Sequence, residues 1–449
     1  RDKLLRQTKF MSMLHLGPNA FDEITGEVVQ ATTFVVQKSG QRDFGEYHRL
    51  VNYSSSQKKE QAFLQEEMVF EGVPQSDFKT IPGVPIAYWL SETFRKIFRH
   101  DQLAQHEPVK KGIDTGKNDR FLRMWPEVSI NRLSVARGDK WVPYIKGGGF
   151  QKWYGNLEFV VNWEDDGKEI KSHPSSTIRN PDFLFKSAVT WSRVSSEGVA
   201  ARFVPYGCLF DNNGSSVFPE HDHNYVSAYL NSVVVQEILP VLNPTLDFQV
   251  GDVKRLPYKS PGDHSKNRTE ECAAECIDIV KDNWSETETS WDFTQHPLIQ
   301  QNAVSLEAAY DAWKAQATDD FLQLHANEEE LNELFIDLYG LQDELSPHVD
   351  LGDITILDDE FDWDAIDTLE AERDTLSDDE LRARLLEDDP EQAPFKMEVP
   401  IRQLLSYGIG VMMGRYRLGH DGLHIAHPAP TKEERAPYDV PTPLCAPAP

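Results

Sequence analysis

The chain has 449 residues, enough for two to four domains at ~100–200 residues each. Apolar residues make up 39% of it and aromatic residues 10%, which supplies a core and excludes wholesale disorder. The formal net charge of −29 is unevenly spread: residues 301–400 carry 30 acidic side chains against 5 basic ones, while residues 1–300 carry 40 against 35. A near-neutral first two-thirds leaves room for a basic face, so nucleic acid is not excluded as a partner.

No apolar run reaches the ~18 residues of a membrane span, and the start, RDKLLRQTKF, has no apolar signal-peptide core. Four cysteines, at 208, 272, 276 and 445, are too few for a disulfide framework and point to a reducing, cytoplasmic setting. The first residue is Arg1 rather than Met, as in a processed chain or a fragment.

Residues 1–57 read as α/β. A short amphipathic helix end over 1–9 leads into MSMLHLG and then GEVVQATTFVVQ, two runs with strand character, closed by a turn at Lys38-Ser39-Gly40. Two adjacent strands make only a half-built sheet, so this segment looks like the tail of a larger α/β domain. Residues 58–107 read as a helical connector, with Pro82 and Pro85 ahead of a periodic apolar stretch.

Residues 108–260 read as a loop-rich α+β domain. Short strand-like runs (LEFVVNW, AVTWSRV, VAARFVPYGCLF) alternate with Gly, Asn, Pro and Ser turns, interrupted by one helix over HNYVSAYLNSVVVQEILPVL. Residues 261–395 read as acidic and helical. Leu306, Tyr310, Trp313, Ala317, Phe321 and Leu324 mark one stripe; Asn327 with Glu330 reads as a helix start and Gly340 as its stop. Ser377 with Glu380 is a second capping box, and 357–370 reads as a charged, solvated linker. Residues 396–449 hold a last helix, VPIRQLLSYGIGVMMGRYRL, and a Pro-rich tail.

Phosphate-loop motifs of the G-x-x-x-x-G-K-[ST] and G-x-G-x-x-G types are absent, as is G-x-S-x-G. His221 and His223 lack a second ligand pair, as do Cys272 and Cys276, and the carboxylates of 358–364 lack the glycine and terminal Glu of a calcium loop. No metal site is therefore assigned. The strongest local signal is cationic: Lys110, Lys111, Lys117, Arg120 and Arg123 precede Trp125, and Arg132, Arg137 and Lys140 follow. Lys254, Arg255 and Lys259 close the domain. Lys146 and Lys152 bracket a Gly-rich run that ends in Trp153 and Tyr154. Such a pattern suits either phosphate contact with aromatic stacking or an ordinary salt-bridged surface.

The strings GIDTGKNDRFLRMWPEV (112–128), WVPYIKGGGFQKWYGNLEFVVNWEDDG (141–167), IRNPDFLFKSAVTWSRVSS (178–196) and LNPTLDFQVGDVKRLPY (242–258) resemble the PglX family of adenine-specific DNA methyltransferases from BREX phage-defence systems. FDEITGEVVQATTFVV, IPGVPIAYWLSE, EEELNELFIDLYGLQDEL and LLSYGIGVMMGRYRL match in the same order, so the resemblance runs over about 1–425. It implies methyl transfer from S-adenosylmethionine to N6 of adenine in duplex DNA. It also implies a Rossmann-like catalytic domain, a target recognition domain and a helical C-terminal region. The family's catalytic Asn-Pro-Pro-Tyr motif, which holds a flipped adenine, has no counterpart here. Asn-Pro occurs only at Asn180-Pro181 and Asn243-Pro244, each followed by other residues.

The expectation is thus the C-terminal part of such an enzyme: the last strands of a methyltransferase sheet, a target recognition domain over 108–260 and an acidic helical region. No catalytic or cofactor residue is assigned, and no S-adenosylmethionine is expected on this chain alone. Lys110, Lys111, Lys117, Arg120, Arg123, Lys146, Lys152, Trp153 and Tyr154 are the expected DNA contacts. Double-stranded DNA, other BREX proteins and the missing catalytic segment are the expected partners. The competing reading is a non-enzymatic acidic module that docks on other defence proteins through 301–400; an independent hydrolase is the third.

Overall fold

The computed structural model describes residues 5, 7–21, 30–38, 44–128, 132–133, 140–260, 262–388, 393–417, 419, 421–422, 424 and 432–436. Several expectations lie outside them: most of the helix end over 1–9, the first four residues of the run 26–37, the Ser39-Gly40 turn, Arg137, and Cys445 with most of the Pro-rich tail. The fold is mixed α/β, with three small four-stranded sheets and long helices.

The first sheet has the order β2-β1-β3-β4, built from β1 (Thr8–Gly17), β2 (Ala31–Lys38), β3 (Phe44–Arg49) and β4 (Val69–Pro74). The two strands expected from the sequence do pair, antiparallel, with Met13 opposite Phe34. β3 runs parallel to β1 and places Arg49 opposite His15. The helical reading of 58–107 is corrected here. Short helices form over Ser56–Leu64, Glu92–Ile97 and Leu103–His106, with a 3-10 helix over Gln75–Thr80, and β4 adds a strand to the sheet. Pro82 and Pro85 bias their preceding residues to extended backbone, so the apolar stretch before Glu92 packs as a loop. Phe10, Met13, Tyr47, Phe78 and Tyr88 form this unit's own core, with Tyr47 and Tyr88 stacked at 4.6 Å.

The other two sheets share the main core. β5 (Val109–Lys110), β9 (Ala188–Trp191), β10 (Ala201–Val204) and β12 (Ser216–Val217) form one, in the order β10-β9-β12-β5. β6 (Leu122–Met124), β7 (Trp141–Ile145), β8 (Phe159–Asn162) and β11 (Leu209–Phe210) form the other, in the order β11-β7-β8-β6. The helix expected over 223–242 is two, His223–Asn231 and Val233–Leu242, bent by 66° at Ser232. That pair is buried in the core, and among the described residues no single helix is long and apolar enough to cross a membrane.

The helix Leu306–Tyr339 is continuous, capped by the Ser305 hydroxyl and ended by Gly340 at φ 69°. Asn327 is therefore not a helix start. It is buried within the helix, where its Nδ2 donates to Glu275 on the neighbouring helix Asp263–Ser285 at 3.0 Å. The linker reading of 357–370 is also corrected: Leu357, Phe361, Ile366 and Leu369 are buried, and Trp363–Glu372 is helical. The acidic side chains there cover one face while the apolar ones fill the core. Ser377 and Glu380 do form the reciprocal capping box.

Candidate nucleic-acid interface

The segment after β5 is shaped by two glycines. A Cβ on Gly112 would lie 1.9 Å from the Phe210 carbonyl oxygen, and one on Gly116, at φ +65°, would lie 2.3 Å from the Ser175 carbonyl oxygen. Between them Asp114 pairs with Thr177, and Ser176 Oγ donates to the Thr115 carbonyl at 2.5 Å. Residues 112–118 are thereby stapled to 175–177. Asn180, in the left-handed region at φ 47°, donates from Nδ2 to the Lys111 carbonyl at 2.7 Å and starts the turn Pro181–Phe183.

That turn presents Phe183 between two lysines. Lys110 Nζ lies 4.9 Å and Lys186 Nζ 5.1 Å from the centre of its ring. Arg179 stands one residue before Asn180, and its Nη1 is buried without a hydrogen-bond partner. Among the described residues none of Lys110, Lys111, Lys117, Arg179 and Lys186 forms an ion pair, whereas their neighbours are neutralised. Arg120 meets Glu169 at 2.6 Å, Arg132 and Lys140 meet Glu164 at 3.0 Å, and Lys171 meets Asp166 at 2.6 Å. Asp247, ion-paired with Arg193, also feels the charge of Lys111. Its hydrogen bond from Arg193 holds its carboxyl below the usual range, and Lys111 adds to that.

The nine expected contacts therefore divide. Lys110, Lys111 and Lys117 belong to the group described above. Lys146, half-buried, lies over the Phe159 ring at 4.8 Å without an ion pair. Arg120 is neutralised, and Arg123 donates to the carbonyls of Asp119 and Leu122. Lys152, Trp153 and Tyr154 are corrected: all three are buried, with relative exposures of 8%, 1% and 2%. Lys152 Nζ and Trp153 Nε1 both end on Glu328, and the Tyr154 hydroxyl donates to Asp292 at 3.1 Å. These polar groups serve the interior, because a buried charge needs a buried partner. Arg179, Phe183 and Lys186 were missed. The string IRNPDFLFKS carries them, but only the pairing across 111–180 reveals that they join Lys110.

Among the described residues, His348, Asp350 and Glu370 have ligand atoms within 4.8 Å of one another. His348 Nε2 lies 3.0 Å from Asp350 and 3.1 Å from Glu370, and Arg373 Nη1 lies 3.2 Å from its Nδ1, so the cluster already forms an ion network. Cys272 and Cys276 are fully buried free thiols.

No protein-family model matches the chain. It is 38% identical over 447 residues to the adenine-specific methyltransferase PglX of Lacticaseibacillus casei (strain Zhang), covering 93% of this chain and 34% of that protein. The chain is a homologue of the PglX and BrxX adenine-specific methyltransferases. To BrxX of Escherichia coli O9:H4 (strain HS) it is 33% identical over 437 residues, covering 95% of this chain and 34% of that protein. The chain thus spans about a third of the length of the curated relatives it matches. Among solved structures, the type IIL restriction-modification enzyme MmeI in complex with DNA aligns with 84% of this chain and 47% of its own, at 10% identity and a TM-score of 0.40.

Proposed function

We propose that this chain is the DNA-recognition part of a site-specific adenine-N6 DNA methyltransferase, with the methyl-transfer machinery in another part of the protein. The relatives are named for adenine-specific methylation, and the family resemblance gives S-adenosylmethionine as methyl donor, duplex DNA as substrate and phage defence as setting. The four-stranded sheet of β1–β4 is the end of the methyltransferase domain, and residues 108–260 are the target recognition domain. No Asn-Pro-Pro-Tyr string is present, so no catalytic step is assigned to these residues and the chain alone is inactive. Other BREX proteins are its further partners.

One observation supports DNA contact at a particular place: Lys110 and Lys186 flank the Phe183 ring, and among the described residues neither forms an ion pair, in a chain of net charge −29. Unpaired cations on a stapled loop attract phosphates, and the half-buried ring gives a base or sugar an apolar surface. The test is fluorescence anisotropy of a mixed-sequence duplex with the full chain at low salt. Lys110→Gln with Lys186→Gln is expected to weaken binding about tenfold and to lower the salt slope by about two. Arg120→Gln, whose cation already serves Glu169, should bind like wild type. Absence of binding, or equal affinity for the double variant, removes this reading.

A further inference from the structure

Arg49 ends β3 directly opposite His15, its register partner on the parallel strand β1. Their side chains line a cleft of about 400 Å³ between the first sheet and the main body, together with Trp89, Phe94 and Pro240. The Arg49 guanidinium carbon lies 5.1 Å from the centre of the Trp89 indole. The His15 imidazole lies 6.1 Å from the same indole, and its Nδ1 is 3.2 Å from the Tyr88 hydroxyl.

Arg49 Nε is buried without a hydrogen-bond partner, and among the described residues the guanidinium has no carboxylate within ion-pair distance. Other arginines here are matched: Arg193 with Asp247, Arg255 with Asp252, Arg268 with Glu330. Two acids also line the cleft and neither is ion-paired with Arg49: Glu344 accepts from the Ser91 hydroxyl, and Glu237 is exposed. Arg49 is half-buried, so a guanidinium with one buried unpartnered nitrogen and no ion pair stands ready for an anion entering the cleft. Burial, then the charges of Arg49 and Lys59, lower the His15 pKa, so at neutral pH the imidazole adds a neutral ring beside that anion site.

We propose that this cleft binds a nucleotide, with its phosphate on Arg49 and its base against the rings of Trp89 and His15. The fixed fork of arginine matches phosphate oxygens, the indole and imidazole supply apolar faces, and the volume holds one nucleotide. The site is independent of the Phe183 group, since it uses the first sheet and a different arginine. Its nucleotide comes either free from solution or as part of a DNA strand, which the experiment separates.

Isothermal titration of the full chain with AMP is expected to show saturable binding, with adenosine and inorganic phosphate each weaker. Arg49→Met should weaken AMP about tenfold or more, and Trp89→Leu should weaken it while sparing phosphate. Should Arg49→Met fail to fold in a thermal melt, Arg49→Lys gives a second reading: charge kept but fork lost, with AMP still weakened. Displacement of AMP by a duplex identifies the source as DNA; AMP and duplex bound together identify it as a free nucleotide. No AMP binding, or AMP binding unchanged in the folded arginine variants, overturns the proposal. Neither result alters the expected effect of Lys110→Gln with Lys186→Gln on duplex affinity.

Discussion

Lys152 Nζ lies 2.7 Å from Glu328 Oε2 inside the protein, and the Trp153 indole donates to Glu328 Oε1 at the same distance. One carboxylate on the acidic helix Leu306–Tyr339 thus receives both polar groups of the segment that follows the Gly-rich run. Removing one partner of a buried pair strands the other's charge, at a cost of about 3–5 kcal/mol. Lys152→Met is expected to lose about that much in urea unfolding. Its duplex affinity, measured on the folded fraction, should match wild type.

The stapled loop gives a second expectation. Gly112→Ala would press a methyl into the Phe210 carbonyl, so either β5 or β11 must shift. A loss of about 1–3 kcal/mol is expected, as for an overpacked site. Duplex affinity should fall with it, because Lys110 and Lys111 lose their placement. A thermal melt and an anisotropy titration on the same preparation check both.

Glu286 gives a pH dependence. Burial pushes its carboxyl up to about 7, the hydrogen bond from Trp313 Nε1 opposes this, and Glu360, Asp320 and Asp282 add to the rise. A raised folded-state pKa means stability that is full below the ordinary value of 4.5 and is lost as pH climbs through about 7. The melting temperature is expected to fall between about pH 4.5 and about pH 7 and to level off above that. Glu286→Gln should flatten that fall and stabilise the chain at the alkaline end, by at most about 3 kcal/mol.

The helix Asp378–Leu385 gives a smaller effect. Ser377 Oγ accepts from the Glu380 amide while Glu380 Oε2 accepts from the Ser377 amide at 2.9 Å. Ser377→Ala is expected to cost about 1 kcal/mol in urea unfolding.

Local signals in the sequence held where the partner lies nearby in the chain. The strand runs around Met13 and Phe34, the Ser377 capping box and the Gly340 stop each rest on a few neighbouring residues. Signals failed where a distant partner decides. Asn327 looks like a cap, yet Glu275 on another helix buries it. The acids at 358–364 suggest a solvated linker, yet Phe361 packs edge-on against Phe321 and Phe395. Cations beside aromatics read the same at Lys110 and at Lys152. Only the Glu328 carboxylate, 176 residues away, separates the interior lysine from the exposed group. Arg179, Phe183 and Lys186 join Lys110 through strand pairing that no local pattern encodes.

Cross-linking tests the central claim most directly. A duplex carrying bromodeoxyuridine, irradiated with the full chain and analysed by peptide mass spectrometry, reports which residues touch DNA. Cross-linked peptides from 108–121 and 177–193, Phe183 among them, are expected. Cross-links confined to the Lys152–Tyr154 segment or to the acidic 301–400 block would contradict the account.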